Sequence, residues 1–408
     1  MKLRFSDREV GGILVIDLGA FTTKATYVSS EKPSKIVEVP TRGFMGYISD
    51  LDAIVDTVRD AVREVFKTVP VDGLRSVPAI ITVHMNEAAV FKVANHEISI
   101  TPSSGDGKIT EEQIEKLRNE LYDKITGNSG KPLFFSVSRY RVIQGGQERD
   151  VENPRGLRVE ILKGMGVAVI LSQELYDNLM DIFHEYNARY SDIGLEPVGI
   201  YSSPIYAALG VRNRGIDTHI HLDLGHTSFR VIKLIRGNVY DFYEFPEGGK
   251  SLIQRISSTL SITSKDGRKV LEDYLKTGSR NVQVSGKNID TTIVENILRN
   301  AFIKFLQHQD VRRILSGSME RTFTLSASGG LAQYKKIHDY IVDAGFPEPL
   351  DIKDIPPNAF VFYGIGEALQ TREGRRRARR NGLMRGGLFD SVLAFFKREI
   401  LGLEEKGG

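Results

Sequence analysis

Apolar residues along the chain fall into two patterns, short continuous runs and helically spaced sets. Their alternation predicts a layered α/β protein. The first run, Ile13-Leu14-Val15-Ile16, leads into Asp17-Leu18-Gly19-Ala20-Phe21-Thr22-Thr23-Lys24 and a second strand from Ala25 to Ser29. Strand, glycine turn and strand predict a β-hairpin. A helix is expected over Leu51–Phe66 and a strand over Ala79–Val83.

Residues 84–166 change character and read as an inserted α+β module. It holds a strand near Ala89–Val93, a loop over 101–107, a helix from Thr110 to about Lys124, a strand over Leu133–Val142, a turn at Asn153–Leu157 and a strand over Arg158–Leu162. Thr110 is the expected N-cap of the helix, with Gln113 in capping-box position. The larger pattern resumes with a buried strand at Gly166–Leu171, a helix from Ser172 to Tyr186 and a short helix at Ser203–Leu209.

A second hairpin follows at His219–Ile232, again an apolar strand, Asp223-Leu224-Gly225, small polar residues and a strand. Two such copies predict an internally duplicated protein. Residues 246–315 are mostly helical in pattern, with one helix expected over Thr291–Gln309. Thr324–Leu331 is a strand entering the Gly329-Gly330 turn, followed by helices at Gln333–Asp343 and Ala359–Leu369.

The last stretch has a different pattern. Leu388, Phe389, Val392, Leu393, Phe396, Ile400 and Leu403 share one helical face. They follow a run of arginines from Arg372 to Arg385. An apolar helix on a basic tether predicts attachment to an anionic membrane surface. The net charge of +3 is smaller than that arginine run, so the body is near neutral and offers no global field for nucleic acid. There are no cysteines, which excludes disulfides and thiolate metal sites. The charged start, MKLRFSDREVGG, does not resemble a signal peptide, and no segment is long and apolar enough to span a bilayer. The expected location is the cytoplasmic side of a membrane.

The chemistry resides in the turns. Consecutive backbone amides at each Asp-Leu-Gly turn can hold phosphate oxygens, and Gly19 and Gly225 let the backbone approach closely. Asp17 and Asp223 suit a magnesium ion held through water, and Lys24 would neutralise phosphate charge. Gly329 and Gly330 sit between strand and helix, where a phosphate or ribose can be received. His219 and His221 lie on one strand face with Asp223. Residues two apart on a strand splay rather than converge on one ion, so these histidines are expected to be structural.

These motifs resemble the actin-like ATPases, the superfamily of actin, Hsp70 and sugar kinases. The resemblance implies a duplicated fold of two ribonuclease-H-like lobes with ATP and Mg2+ bound between them. Asp17, Gly19, Ala20, Phe21, Thr22 and Lys24 look like the first phosphate loop, and Asp223, Gly225, His226 and Thr227 like the second. Ser328, Gly329, Gly330 and Leu331 look like the adenosine loop, with Ser328 where the family has a third glycine. Pro204–Gly210 and Tyr363–Leu369 resemble the two connecting helices.

Within that superfamily the chain resembles the FtsA cell-division family over its whole length. This rests on the inserted module (the family's 1C domain), on Val151-Glu152-Asn153-Pro154-Arg155-Gly156-Leu157, on Gly248-Gly249-Lys250 with Leu271–Gly278, and on the amphipathic terminal helix. The implied layout is subdomain 1A at 1–83, 1C at 84–166, 1A again at 167–213, 2A at 214–245, 2B at 246–315, 2A again at 316–358, a closing 1A helix at 359–370, a basic linker at 371–386 and a membrane-targeting helix at 387–408.

The resemblance further implies nucleoside contacts from Glu272 and Lys276, and reception of the FtsZ C-terminal peptide on 2B near Arg299 and Lys304. It implies self-assembly into filaments, recruitment of later division proteins through 84–166, and tethering of FtsZ to the inner face of the cytoplasmic membrane at the septum. Ser203-Pro204-Ile205-Tyr206 offers no glutamine or glutamate to orient a water, so slow or negligible ATP hydrolysis is expected. Two alternatives stay open. One is a PilM-like pilus-assembly protein, a family with a similar insert but without the terminal helix; the other is a small-molecule kinase.

Overall fold

The computed structural model describes residues 12–29, 35–69, 75–84, 92–101, 107–127, 130–151, 153–190, 192–210, 218–236, 238–319, 323–350, 360–362 and 365. The basic linker, the amphipathic terminal helix and most of the expected closing helix lie outside the described residues. The chain divides into two compact units, one holding the described residues up to Tyr206 and from Val361, the other Ala207–Phe360.

The first unit contains β1 (Gly12–Leu18), β2 (Thr22–Ser29), β3 (Val37–Pro40), α1 (Leu51–Phe66), β4 (Ser76–Val83), β5 (Lys92–Ile100), α2 (Glu111–Thr126), β6 (Lys131–Gln144), β7 (Gln147–Val151), β8 (Ile161–Leu171), α3 (Gln173–Arg189) and β9 (Gly194–Ser202). The short helix α4 (Ser203–Gly210) carries the chain across the division. Its main sheet has the order β3-β2-β1-β4-β9, with antiparallel β1–β2 and β2–β3 pairs and parallel β1–β4 and β4–β9 pairs. Helix α1 has the predicted limits. Asp50 caps its first turn, and Ile54, Val55, Val58, Ala61, Val62 and Val65 form its buried stripe.

The module expected at 84–166 has its own sheet, β5-β8-β6-β7, covered by α2. The Thr110–Gln113 capping box forms on both sides. Residues 158–171 are expected to divide between the module and the main unit. Instead, β8 is one strand that pairs with both β5 and β6. Gly164 and Gly166 look like breaks but are close-approach positions. A Cβ at Gly164 would lie 2.3 Å from a Leu117 methyl of α2, and one at Gly166 would lie 2.7 Å from an Ile125 methyl.

The second unit contains β10 (Thr218–Leu224), β11 (Phe229–Ile235), β12 (Asn238–Phe245), α5 (Gly249–Leu260), α6 (Ser264–Thr277), β13 (Asn281–Val284), β14 (Lys287–Asp290), α7 (Thr292–Gln307), α8 (Gln309–Met319), β15 (Thr324–Ser328) and α9 (Lys335–Asp343). Its sheet, β12-β11-β10-β15, repeats the pattern of the first: two antiparallel pairs, then a parallel neighbour beside the first strand. The expected duplication is therefore visible in the strand order. Ile220, Leu222 and Leu224 of β10 pack into a helical core with Leu252, Leu271 and Phe302.

The mostly helical pattern of 246–315 is present, with one correction and one addition. The helix expected over Thr291–Gln309 breaks at His308, whose backbone is extended and whose ring stacks on Tyr243 at 5.0 Å. The segment also contains the β13–β14 hairpin, closed by Ser285-Gly286 with both residues at positive φ.

Candidate functional site: two equivalent hairpins

The β1–β2 hairpin places Asp17 opposite Lys24 and Leu18 opposite Thr23. Gly19 opens the turn, and a Cβ there would sit 2.6 Å from the Thr22 carbonyl oxygen, so the turn closes only around glycine. Ala20, Phe21, Thr22 and Lys24 are half-buried, while Asp17 is buried at the strand end. The Thr82 hydroxyl of β4 donates to Asp17 Oδ1 at 2.8 Å.

His84 was not singled out in the sequence. Its Nε2 lies 3.6 Å from Asp17 Oδ1 and 2.7 Å from Ser203 Oγ. Burial alone would raise the Asp17 pKa, but His84, then Lys24 and Ser203, outweigh it and hold the carboxyl below its usual range. The cluster is no nucleophilic triad. One nitrogen, Nε2, faces both Ser203 and Asp17, whereas a triad uses one ring nitrogen for each. Sequence spacing could not reveal His84, because β4 reaches Asp17 through a parallel, non-local pairing.

The β10–β11 hairpin repeats this register, with Asp223 opposite Arg230 and Leu224 opposite Phe229. Gly225 donates its N–H to Ser228 O at 3.1 Å and closes the turn that carries His226 and Thr227. The N-terminus of α5 abuts this turn: Gly249 N–H donates to Gly225 O at 3.1 Å and Lys250 N–H to His226 O at 2.7 Å. Burial, then Lys250 and Arg268, lower the His226 pKa to about 4, so its ring is neutral at pH 7.

Asp223 is committed to its own unit. Arg230, 1% exposed, donates to Asp223 Oδ2 through Nη1 and to Glu244 Oε1 through Nη2, each at 2.8 Å. Ser228 also donates to Glu244. Of the two aspartates expected to hold magnesium, Asp223 is thus already paired with a buried cation.

Ser328 ends β15 beside Asp223 in the parallel register and donates to its Oδ1 at 3.3 Å. Gly329 follows with φ +92°, and a Cβ there would meet the Leu224 carbonyl oxygen at 2.5 Å. The Ser328-Gly329-Gly330-Leu331 turn therefore lies against the backbone of the second hairpin. Helix α9 starts only at Lys335, later than expected, because the intervening turn is held by Gln333 Nε2 donating to Gly330 O at 2.9 Å.

Glu272 and Lys276 lie on α6, where Glu272 accepts from Arg268 at 2.6 Å and Lys276 lies 3.9 Å from Glu272. Burial, then Glu272, raise the Tyr334 pKa, and Arg268 opposes them. Arg299 lies 3.2 Å from Asp343 and 3.5 Å from Glu295, and Lys304 pairs with Glu247, so both basic residues have acidic partners.

Among the described residues, no cluster of three or more His, Cys, Asp or Glu forms a metal cage. No described helix is long and apolar enough to cross a membrane. The sequence matches no protein-family model and no curated protein. The structure is similar to a chain of the PilM–PilN type IV pilus biogenesis complex, with TM-score 0.56 and 15% identity over 91% of this chain and 99% of that one. Ethanolamine utilization protein EutJ from Carboxydothermus hydrogenoformans gives TM-score 0.48 and 12% identity over 86% of this chain and 88% of the other. MreB 5 of Spiroplasma citri bound to AMPPNP gives TM-score 0.48 and 15% identity over 92% and 100%. The likeness is one of fold, and the chain has the α/β fold of the actin-like ATPases.

Proposed function

We propose that this chain binds ATP with Mg2+ and acts as an actin-like scaffold rather than a rapid hydrolase. The observation that carries the reading is the pair of topologically equivalent Asp-Leu-Gly hairpins, each ending a buried strand and closing on a glycine. Lys24 is the cation suited to the phosphates, because it is half-buried beside the first turn, whereas Arg230 is consumed inside the second unit. Asp17, held ionised, is the carboxylate suited to Mg2+ through water. The bound ion would supply charge neutralisation at the phosphates. His84 and Ser203 are the polar groups beside Asp17, and no carboxylate or carboxamide occurs in 203–206 to activate water. Equilibrium titration with ATP and Mg2+ is expected to show saturable binding lost in Lys24→Ala. Phosphate release is expected well below about one turnover per second. Turnover near that rate overturns the scaffold reading.

For the partner, the reading favoured by the sequence is an FtsA-like role. It comprises self-assembly into filaments, attachment to the inner membrane face through Leu388–Leu403, capture of the FtsZ C-terminal peptide around Arg299 and Lys304, and recruitment of further division proteins by the 84–166 module. A second reading is favoured by the PilM–PilN likeness, which spans nearly the whole chain. In that reading the partner is a PilN-type pilus component. Parallel pull-downs on an FtsZ C-terminal peptide and on PilN, with and without ATP, decide between them. Liposome flotation of the full chain against one lacking 387–408 tests the anchor separately.

A further inference from the structure

The face of β10 turned away from the helical core carries His219, His221 and Asp223, and β15 presents Thr324, Ser326 and Ser328 opposite them in register. Both imidazoles are buried, at 5% and 0% exposure. Every ring nitrogen meets a hydroxyl. His219 Nδ1 lies 2.7 Å from Thr324 Oγ1, and its Nε2 lies 2.8 Å from Ser326 Oγ. His221 Nδ1 lies 2.8 Å from the same Ser326 Oγ, and its Nε2 lies 2.8 Å from Ser328 Oγ. The last and longest link is Ser328 Oγ to Asp223 Oδ1 at 3.3 Å.

This chain of bonds has one direction. A carboxylate only accepts, so the Ser328 hydroxyl donates to Asp223. The Ser328 oxygen must then accept from His221 Nε2–H, which leaves His221 Nδ1 to accept from the Ser326 hydroxyl. The Ser326 oxygen in turn accepts from His219 Nε2–H, and His219 Nδ1 accepts from Thr324. Burial without a neighbouring acid disfavours a charged His219, as its lowered pKa of about 4 reflects. Arg230 donates to the far oxygen of Asp223, which leaves Oδ1 to accept from Ser328 and fixes the direction.

The first unit shows that the fold does not need this ladder. At the matching places β1 has Ile13 and Val15 and β4 has Pro78 and Ile80, and only the terminal pair, Asp17 with Thr82, is polar. Apolar residues satisfy the same strand pair, so the polar set serves something other than pairing.

We propose that His219 and His221 are positioning residues: through Ser326 they hold the Ser328 hydroxyl as a donor to Asp223, and so clamp the Gly329-Gly330 turn to the Asp223-Leu224-Gly225 turn. The clamp itself is independent of any ligand. Its consequence, that two nucleotide-contacting turns of this unit move as one piece, rests on the ATP-binding reading above.

The test uses the full chain labelled with 15N-histidine, read by long-range proton–nitrogen correlation at neutral pH. Both rings are expected as the Nε2–H tautomer; either ring as Nδ1–H, or as a mixture, overturns the clamp. In Asp223→Asn, Arg230 retains the carbonyl oxygen, the new NH2 group faces Ser328, and every hydroxyl must reverse. Both rings are then expected to switch to Nδ1–H, and an unchanged tautomer overturns the proposal. Should that variant fail to fold, Ser328→Ala leaves the Asp223–Arg230 pair intact and removes the last link. Its rings are expected to lose tautomer preference, and retained Nε2–H order overturns the clamp. In ATP titrations Ser328→Ala is expected to weaken binding about tenfold, with Ser328→Thr restoring it because Thr82 holds the equivalent place in the first unit. Equal affinity of the Ala and wild-type chains overturns the functional consequence. Absence of ATP binding to wild type, with both rings Nε2–H, supports the clamp and overturns the nucleotide reading.

Discussion

The two units place an acid, a base, a second acid and a hydroxyl in the same register and use them differently. In the first, Asp17 faces Lys24, which faces Glu38, with Thr82 on the parallel strand. In the second, Asp223 faces Arg230, which faces Glu244, with Ser328 on the parallel strand. Lys24 is half-buried and Glu38 exposed, whereas Arg230 and Glu244 are 1% and 6% exposed. A flexible ammonium at a wet edge can meet a phosphate as a point charge. A guanidinium forked between two buried carboxylates acts as a brace. A repeated motif thus identifies repeated geometry, while burial sets what each copy's cation is able to reach.

The largest expected effect strikes the buried copy. Arg230→Ala leaves two carboxylates without their cation, and about 3–5 kcal/mol of stability should be lost in urea unfolding. Lys24→Ala should cost less than about 1 kcal/mol in the same assay. Similar losses for both would erase the contrast. Next is acid sensitivity. The folded-state pKa of His219 is lowered to about 4 from the ordinary 6.5, so its contribution is intact above pH 6.5 and is lost as pH falls toward 4. That amounts to about 3 kcal/mol. Site-resolved hydrogen exchange should show β10 losing protection over that window before β1, which carries Ile13 and Val15 at the matching places. Simultaneous loss in both strands argues against a local cause.

On ligand binding the order reverses. Lys24→Ala should weaken ATP about tenfold or more, equivalent to at least about 1.4 kcal/mol. Titration with labelled nucleotide measures this, and unchanged affinity would move the phosphate contact elsewhere. The smallest effect belongs to the exposed Lys304–Glu247 pair on the second unit. Lys304→Ala should shift stability by no more than about 1 kcal/mol. A larger loss would mean that the outer face is also braced.

Legibility followed locality. Helix α1 and the Thr110 capping box were readable because cap, periodicity and stop lie within one segment. Both hairpins were readable because Asp-Leu-Gly turns are contiguous. Strands β3, β9 and β12 went unread, since each is defined by a partner and not by its own alternation. His84 belonged to the Asp17 site only through parallel pairing. His219 and His221 were legible as structural, but their hydroxyl partners lie more than a hundred residues away in β15. The bracing role of Arg230 was not legible, because Glu244 enters from a third strand.

The side-chain ladder also bears on how β15 finds its place. A one-residue slip would turn the hydroxyls of Thr324, Ser326 and Ser328 to the opposite face. A two-residue slip is subtler, because the alternation of threonine and serines would still offer each imidazole a hydroxyl. In the direction that moves β15 toward its C-terminal neighbours it would bring Gly330 opposite Asp223 and leave the carboxylate without its Ser328 donor. Against a slip in that direction the buried acid is what marks the register, at the rung where a glycine cannot stand in for a serine.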